Sequence, residues 1–409
     1  MRRVLVTLGA WLALATPLDA HELPVVSGIV VVDDTVALRT RRGFVLYDAS
    51  TSSFRLQCLE YSGIADNEIP SFASDGQHVV VATLRGLLHM SASGCGLTRT
   101  QVPGEIPVAD VRWSVGQGWV AVTSAAGAVN DVYRSSDGRQ WQPAGFDLSG
   151  FFAFSVAATP QGALLTGVRV DPDSAQALFV VRHYRETGEF QETVVDNSPN
   201  TLRLRIADLD VRTGQALLWL DRLSASQEPD QLLAVDSFAP SQPTLLLEQP
   251  DVLGARFHAD RGLWLISPDG LFHADDGQLE ARWPSTSLSA LGGSGDEPVW
   301  LATEYAITGF ALASLDLQGQ VVPWLRYEQI AGPTTCADAP GQCDADWLDW
   351  TTEIPQDDAP ALAPADFFER LNETPANEVG CAVPPLAPAM PTSLAGVVAT
   401  VLYVMRRRR

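Results

Sequence analysis

Gly116-Gln117-Gly118-Trp119-Val120-Ala121-Val122-Thr123 sets the reading of this chain: a polar turn with two glycines, then a run apolar at nearly every position. A few residues on, Val132-Tyr133-Arg134 opens a second β-rich run. Val- and Trp-rich runs bounded by Gly and Asp turns read as strands. A run apolar on both faces reads as a strand stacked between two neighbouring sheets. The unit recurs on both sides. Thr35–Thr40 leads to Phe44–Asp48, and the turn Asp75-Gly76-Gln77 leads to His78–Thr83 and Gly86–Met90. Gln161-Gly162 leads to Ala163–Val168 and Leu178–Tyr184, and Gly214-Gln215 to Ala216–Asp221 and Gln231–Asp236. Arg261-Gly262 leads to Leu263–Ser267 and Gly270–His273, and Gly295-Asp296 to Val299–Thr303 and Phe310–Leu315.

These are seven copies at a spacing of about 40 residues, the period of a propeller blade. The expected fold class is all-β, a seven-bladed β-propeller over residues 21–330, in which radial closure buries both faces of each blade and protects most strand edges. A β-sandwich array of similar strand content is the competing architecture. No helical periodicity of useful length interrupts the region.

One turn carries a family resemblance. Tyr133-Arg134-Ser135-Ser136-Asp137-Gly138-Arg139-Gln140-Trp141 resembles a degenerate Asp-box, the Ser-x-Asp-x-Gly-x-Thr-Trp hairpin of sialidase-like propellers, one residue short and without the Thr. Gly86–Ser91 and Gly270–Gly277 are weaker echoes. In this structural turn of Ser135, Asp137, Gly138 and Trp141, Asp137 is expected to cap turn amides, Gly138 to take a positive φ, and Trp141 to pack back between strands. The resemblance implies a structural turn on the blade periphery and no catalytic role.

The two ends read as addresses. Arg2 and Arg3 precede an apolar run, Val4 to Ala15, and small residues near Ala20, which marks residues 1–20 as a signal peptide. At the other end, Gly380-Cys381, a Pro-rich spacer, an apolar run from Leu394 to Met405 and the block Arg406–Arg409 resemble the MYXO-CTERM type of C-terminal sorting signal of myxobacteria. That resemblance covers only residues 381–409. It departs from the commoner pattern in its single cysteine and its less Leu-rich span. It implies processing and lipidation at Cys381 and display at a bacterial cell surface or outer membrane. A plain membrane anchor is the alternative, with the arginines cytoplasmic. Residues 331–380, rich in Pro, Ala and acids, read as a stalk.

All 27 basic residues are arginines. Removing residues 1–20 and 382–409 leaves a body of 21 arginines against 48 acids, a net charge of −27. Such a body repels phosphate backbones, so nucleic acid is not an expected partner. Five cysteines suit an exported chain with two bridges and one cysteine over. Nearness in sequence pairs Cys336 with Cys343, making a small disulfide loop in the stalk, and leaves Cys58 with Cys95. A metal site at Cys336 and Cys343 lacks a nearby histidine.

No set of catalytic residues stands out. There is no Gly-x-Ser-x-Gly elbow and no His-Glu-x-x-His pair. His89, His258 and His273 are candidates to face a shared funnel; the adopted reading is polar strand ends on separate blades. Asp344, Asp346 and Asp349 offer hard oxygens to calcium, the one cofactor considered, but the loop lacks the Gly and Glu of an EF-type site. The expected function is a non-enzymatic binding or scaffold module with a protein or glycan ligand, joined to the membrane by its C-terminal anchor. The loops Asp171–Gln176 and Ser224–Asp230 are expected to flank the binding face. A glycoside hydrolase using an acidic pair in the central funnel is the alternative.

Overall fold

The structure, a computed structural model, describes residues 25–351 except 33–34, 49–52, 59–63, 65–69, 211, 224–225, 227, 239–241, 250, 259–261, 276–277, 284–287, 294–298, 305–307, 317–318, 337–342, 344–346 and 349–350. The signal sequence, most of the stalk and the Cys381 tail lie outside the described residues, as do Asp344, Asp346 and Asp349.

Seven sheets make a seven-bladed β-propeller, each with four strands from one continuous stretch of chain, ordered from inner to outer, and blade 1 carries a fifth strand from after blade 7. Blade 1 is β1 (Val26–Val32), β2 (Thr35–Thr40), β3 (Gly43–Asp48) and β4 (Ser53–Cys58). Blade 2 is β5 (Ser71–Ser74), β6 (His78–Thr83), β7 (Gly86–Ser91) and β8 (Thr98–Arg99). Blade 3 is β9 (Val108–Ser114), β10 (Gly118–Thr123), β11 (Val132–Ser135) and β12 (Gln142–Pro143). Blade 4 is β13 (Phe151–Thr159), β14 (Gly162–Val170), β15 (Ala177–Arg185) and β16 (Phe190–Asp196). Blade 5 is β17 (Thr201–Asp210), β18 (Gln215–Arg222), β19 (Asp230–Asp236) and β20 (Thr244–Gln249). Blade 6 is β21 (Gly254–His258), β22 (Gly262–Ser267), β23 (Gly270–Asp275) and β24 (Gln278–Trp283). Blade 7 is β25 (Leu288–Gly292), β26 (Trp300–Thr303), β27 (Leu312–Leu315) and β28 (Val321–Leu325). The seven sequence copies are the second and third strands of these blades.

The burial pattern explains why those strands announce themselves. Alternation of buried and exposed residues is absent from β6, β10 and β22, whose residues after the first are all buried, because a neighbouring blade covers each face. Outer strands such as β16 and β20 are exposed or half-buried at nearly every position. Among the described residues the core divides into seven apolar clusters, one for each seam between blades. The seam that closes the ring packs Val26, Ile29 and Val31 of blade 1 against Ala290, Trp300 and Leu312 of blade 7.

Among the described residues no strand of blade 7 is borrowed from the other terminus, so closure is reinforced in another way. After β28 the chain forms β29 (Ile330–Pro333), which lies parallel to β4 on the outer edge of blade 1, Ile330 beside Phe54 and Pro333 beside Leu56. The sheet of blade 1 therefore continues past residue 330. Two disulfides then fix the strap: Cys95–Cys336, to the turn after β7 of blade 2, and Cys58–Cys343, to the end of β4. This corrects the expected pairing. All four cysteines are bridged, but Cys336 does not pair with Cys343, nor Cys58 with Cys95. Nearness in sequence misleads here because the strap lies along blade 1, which brings each of its cysteines to a partner more than 200 residues earlier. Two such bridges suit an exported protein. Among the described residues no helix is long and apolar enough to cross a membrane.

Candidate functional site

The inner strands surround an axial funnel of about 960 Å³. It is lined by the carboxy-terminal halves of β1, β13, β17 and β21, by β5 and β9, and by the turns that follow them. Five of its charged residues lie on inner strands, Asp110 and Arg112 on β9, Asp208 and Asp210 on β17 and Arg256 on β21, and Asp75 and Arg212 follow β5 and β17. Phe72, Trp113 and Phe257 supply aromatic surface, and Val115, 74% exposed, stands at the mouth.

The two buried carboxylates tie blades together. Asp110 accepts from the Ser71 hydroxyl of blade 2 at 2.5 Å, from the Val156 amide of blade 4 at 3.1 Å and from Arg112 Nε at 3.0 Å. Asp208 accepts from the Phe257 amide of blade 6 at 2.8 Å and from the Leu209 amide at 2.9 Å. Between them, Ser155 of blade 4 takes the Ile206 amide of blade 5 at 2.7 Å. The register of β13 shifts between Ala153 and Ser155, and that of β17 between Ile206 and Asp208. An extra residue in one strand turns backbone groups out of the ladder, and here they become the partners of the next blade.

The β17 bulge also collects the arginines. Arg112 of blade 3 donates to the carbonyl of Ile206, and Arg256 of blade 6 to the carbonyl of Ala207. Two guanidiniums from separate blades thus dock on consecutive carbonyls. Burial pulls Arg256 below its ordinary value, with Asp208 opposing and Arg112 reinforcing the effect. A guanidinium has five N–H donors. Arg112 spends two in the bonds given above and Arg256 one, which leaves donors in the funnel wall for an acceptor-rich group. Arg205, on β17, stacks on Trp219 with 4.2 Å from its guanidinium carbon to the ring centroid.

The sequence-selected residues lie elsewhere. His89 and His273 sit on third strands and His258 ends β21; none of the three lines the funnel. His89 is packed against His78 at 4.8 Å and accepts from Arg139 Nε at 3.3 Å. The turn Ser135–Trp141 joins β11 to β12 on the blade periphery. Its Asp137 Oδ1 accepts the amides of Arg139 at 2.9 Å and Gln140 at 2.8 Å, while Ser135 Oγ accepts the Gly138 amide at 2.9 Å. Those amides hold the Asp137 carboxyl below the usual carboxylate range. Gly138 has φ of 69°, and the buried Trp141 indole donates to its carbonyl at 2.8 Å. The loop Asp171–Gln176 connects a second to a third strand, at the opposite end of the strands from the turns that rim the funnel. Ser224–Asp230 occupies the equivalent place in blade 5, with Ser224, Ala225 and Gln227 outside the described residues. Among the described residues no cluster of three or more His, Cys, Asp or Glu is placed to hold a metal ion.

Asp110, Arg112, Asp208 and Arg256 escaped the sequence reading, which followed the second and third strands. The available signal was the echo Ala109-Asp110-Val111-Arg112 and Ala207-Asp208-Leu209-Asp210, with Ala255-Arg256 in the next blade. Charge at an inward position of three first strands, β9, β17 and β21, marks the channel lining.

Fold and funnel together define the class: a disulfide-clasped, seven-bladed β-propeller. No family model matches the chain, and no curated protein matches it. Solved structures similar to it include PorZ of Porphyromonas gingivalis, a surface component of the type-IX secretion system, at 15% identity and a TM-score of 0.47 over 74% of this chain. The chain spans 38% of PorZ. The β-propeller domain of the Trilobed protease of Pyrococcus furiosus is similar at 12% identity and a TM-score of 0.48, over 73% of this chain and 97% of that one. The acylaminoacyl peptidase of Pyrococcus horikoshii is similar at 11% identity and a TM-score of 0.46, over 72% of this chain and 52% of that one. At these identities the likeness is one of fold.

Proposed function

We propose that this protein is an exported binding module whose axial funnel recognises a ligand bearing a carboxylate. The observation that carries the reading is the pair Arg112 and Arg256, held on the Ile206 and Ala207 carbonyls with N–H groups to spare in the funnel wall. Planar guanidinium forks suit carboxylates, and anchoring to backbone lowers the entropy lost on binding. The aromatic residues around them offer apolar contact to the rest of the ligand. The hydrolytic alternative needs carboxylates free to move protons, whereas Asp110 and Asp208 each accept backbone amides from a neighbouring blade. In this reading Cys381 is the attachment point that holds the module at a cell surface, a role supported by the tail motif alone.

Isothermal titration with citrate and D-galacturonate tests the reading. Binding should weaken about 10-fold or more in Arg112→Met and in Arg256→Met, the loss expected of a hydrogen bond to a charged group. No heat with either probe, or equal affinity in the variants, overturns it. Turnover of a fluorogenic glycoside that is lost in Asp110→Asn would replace it with the hydrolase.

A further inference from the structure

A second cavity, of about 320 Å³, lies in the seam between blades 4 and 5. Its wall on blade 4 is His183, on β15, with the hairpin residues Arg185, Glu189 and Phe190; its wall on blade 5 is Ser237 and Phe238, just beyond β19. His183 pairs across the sheet with Leu164 and Gln191, and Leu164 belongs to the apolar seam with blade 5, so the imidazole faces that blade.

Two polar atoms in this wall are buried without a hydrogen-bond partner among the described residues: His183 Nε2 and Ser237 Oγ. Ser237 is only 4% exposed. Buried polar atoms are nearly always paired, and an orphan in a native fold calls for a missing partner. The chemistry of that partner is constrained. Burial keeps the imidazole below its ordinary value, with the Ser237 backbone and Asp236 opposing. Nε2 of a neutral imidazole donates or accepts according to its tautomer. The Ser237 hydroxyl both donates and accepts. One aromatic ring, that of Phe238, flanks these atoms, while the Phe190 ring lies on the other face of blade 4 against Tyr184 and Arg182. Phe238 is laid against Gly214, where a Cβ would overlap its ring, so the position of this wall depends on glycine. Arg185 and Glu189, 3.9 Å apart and largely exposed, close the outer edge.

We propose that this seam is a binding site for a single sugar ring, distinct from the funnel. One hydroxyl exchanges a hydrogen bond with His183 Nε2, a neighbouring hydroxyl with Ser237, and the apolar ring face packs on Phe238. The volume sits at the low end of small-ligand pockets, which admits one ring and excludes a folded chain segment.

Saturation-transfer NMR on the full chain tests this, with D-glucose, D-galactose and N-acetyl-D-glucosamine as probes. Transfer is expected to the ring protons of at least one sugar, weakened about 10-fold in Ser237→Ala and in His183→Phe. It should be retained in the funnel variant Arg112→Met, so this site and the funnel reading fail separately. Ser237→Ala removes an orphan hydroxyl, and its melting temperature without sugar should equal or exceed that of the parent, which separates lost recognition from lost folding. Absence of transfer with all three sugars, or unchanged transfer in the Ser237→Ala, His183→Phe double variant, overturns the proposal.

Discussion

Arg112 of blade 3 and Arg256 of blade 6 meet at one bulge of blade 5, each donating to one of two consecutive carbonyls, Ile206 and Ala207. Blade 4 lies between blades 3 and 5, so Arg112 reaches past its immediate neighbour along the wall of the channel. The bulge that frees the carbonyls also presents the Ile206 amide to Ser155 and places Asp208 beside the Phe257 amide. Ring cohesion and the proposed ligand recognition therefore share the same few atoms.

Asp110 is the most heavily engaged of these groups. Asp110→Ala leaves the Ser71 hydroxyl, the Val156 amide and Arg112 Nε without their acceptor. Loss of one partner from a buried charged cluster costs about 3–5 kcal/mol. Urea unfolding should report a loss of that order, against a change below about 0.5 kcal/mol for exposed Glu105→Ala.

The clasp gives a second prediction. Cys58–Cys343 and Cys95–Cys336 close loops with sequence separations of 285 and 241, one nested inside the other. Replacing the outer pair, Cys58 and Cys343, with serine should lower stability by about 2–5 kcal/mol. Replacing the inner pair as well should cost at least as much again, because that bridge alone then closes the long loop in the unfolded chain. Non-reducing peptide mapping checks the connectivity itself. Fragments joining Cys336 to Cys343 would show that the strap is not stapled to blades 1 and 2.

A third prediction concerns acid. Burial, together with His78 and Arg139, pulls His89 from its ordinary value down to about 4, while Asp75 and Asp137 act weakly the other way. The unfolded chain takes up this proton near pH 6.5 and the folded chain does not until about pH 4. The stability that His89 contributes as a neutral acceptor is therefore complete above pH 6.5 and is lost as pH falls toward 4. Melting temperature measured across that window should fall less steeply in His89→Gln, which keeps an acceptor for Arg139 but does not titrate. Identical slopes would remove His89 from the account.

The Asp-box-like turn offers a controlled comparison. Gly138 and Gly127 have φ of 69° and 80°, but a Cβ at Gly138 would lie 3.0 Å from Val80 and 3.3 Å from Trp119, whereas at Gly127 it meets nothing within 4 Å. Alanine at Gly127 should cost about 1 kcal/mol in backbone strain. Alanine at Gly138 should cost about 1 kcal/mol more, because it also presses on the seam with blade 2. Equal losses in chemical denaturation would show that the turn does not bear on that seam.

The blade repeat was legible because the second and third strands are covered on both faces. Runs such as Trp119–Thr123 and Leu263–Ser267 are therefore continuous in apolar character and bounded by turn residues. The first strands were not singled out, and in β9, β17 and β21 charged positions break the apolar run. In the fold Asp110, Arg112, Asp208, Asp210 and Arg256 of these strands line the funnel. The Asp137 turn was legible because capping is a local interaction within a few residues. The disulfide pairing was not, because it depends on where β29 docks, and that is set by contacts with a strand near the other end of the chain. The cavity between blades 4 and 5 depends on His183 and Ser237, two ordinary residues that each bury one side-chain atom without a hydrogen-bond partner among the described residues.

The claim at the centre of this account is that the funnel arginines receive a carboxylate, and side-chain NMR of arginine Nε–Hε groups reads it directly. On titration with citrate, the resonances of Arg112 and Arg256 should move saturably and together, while that of Arg85, in a turn of blade 2 away from the funnel, stays in place. Shifts spread evenly over the surface arginines, or Arg112 and Arg256 resonances that stay in place throughout, would contradict it.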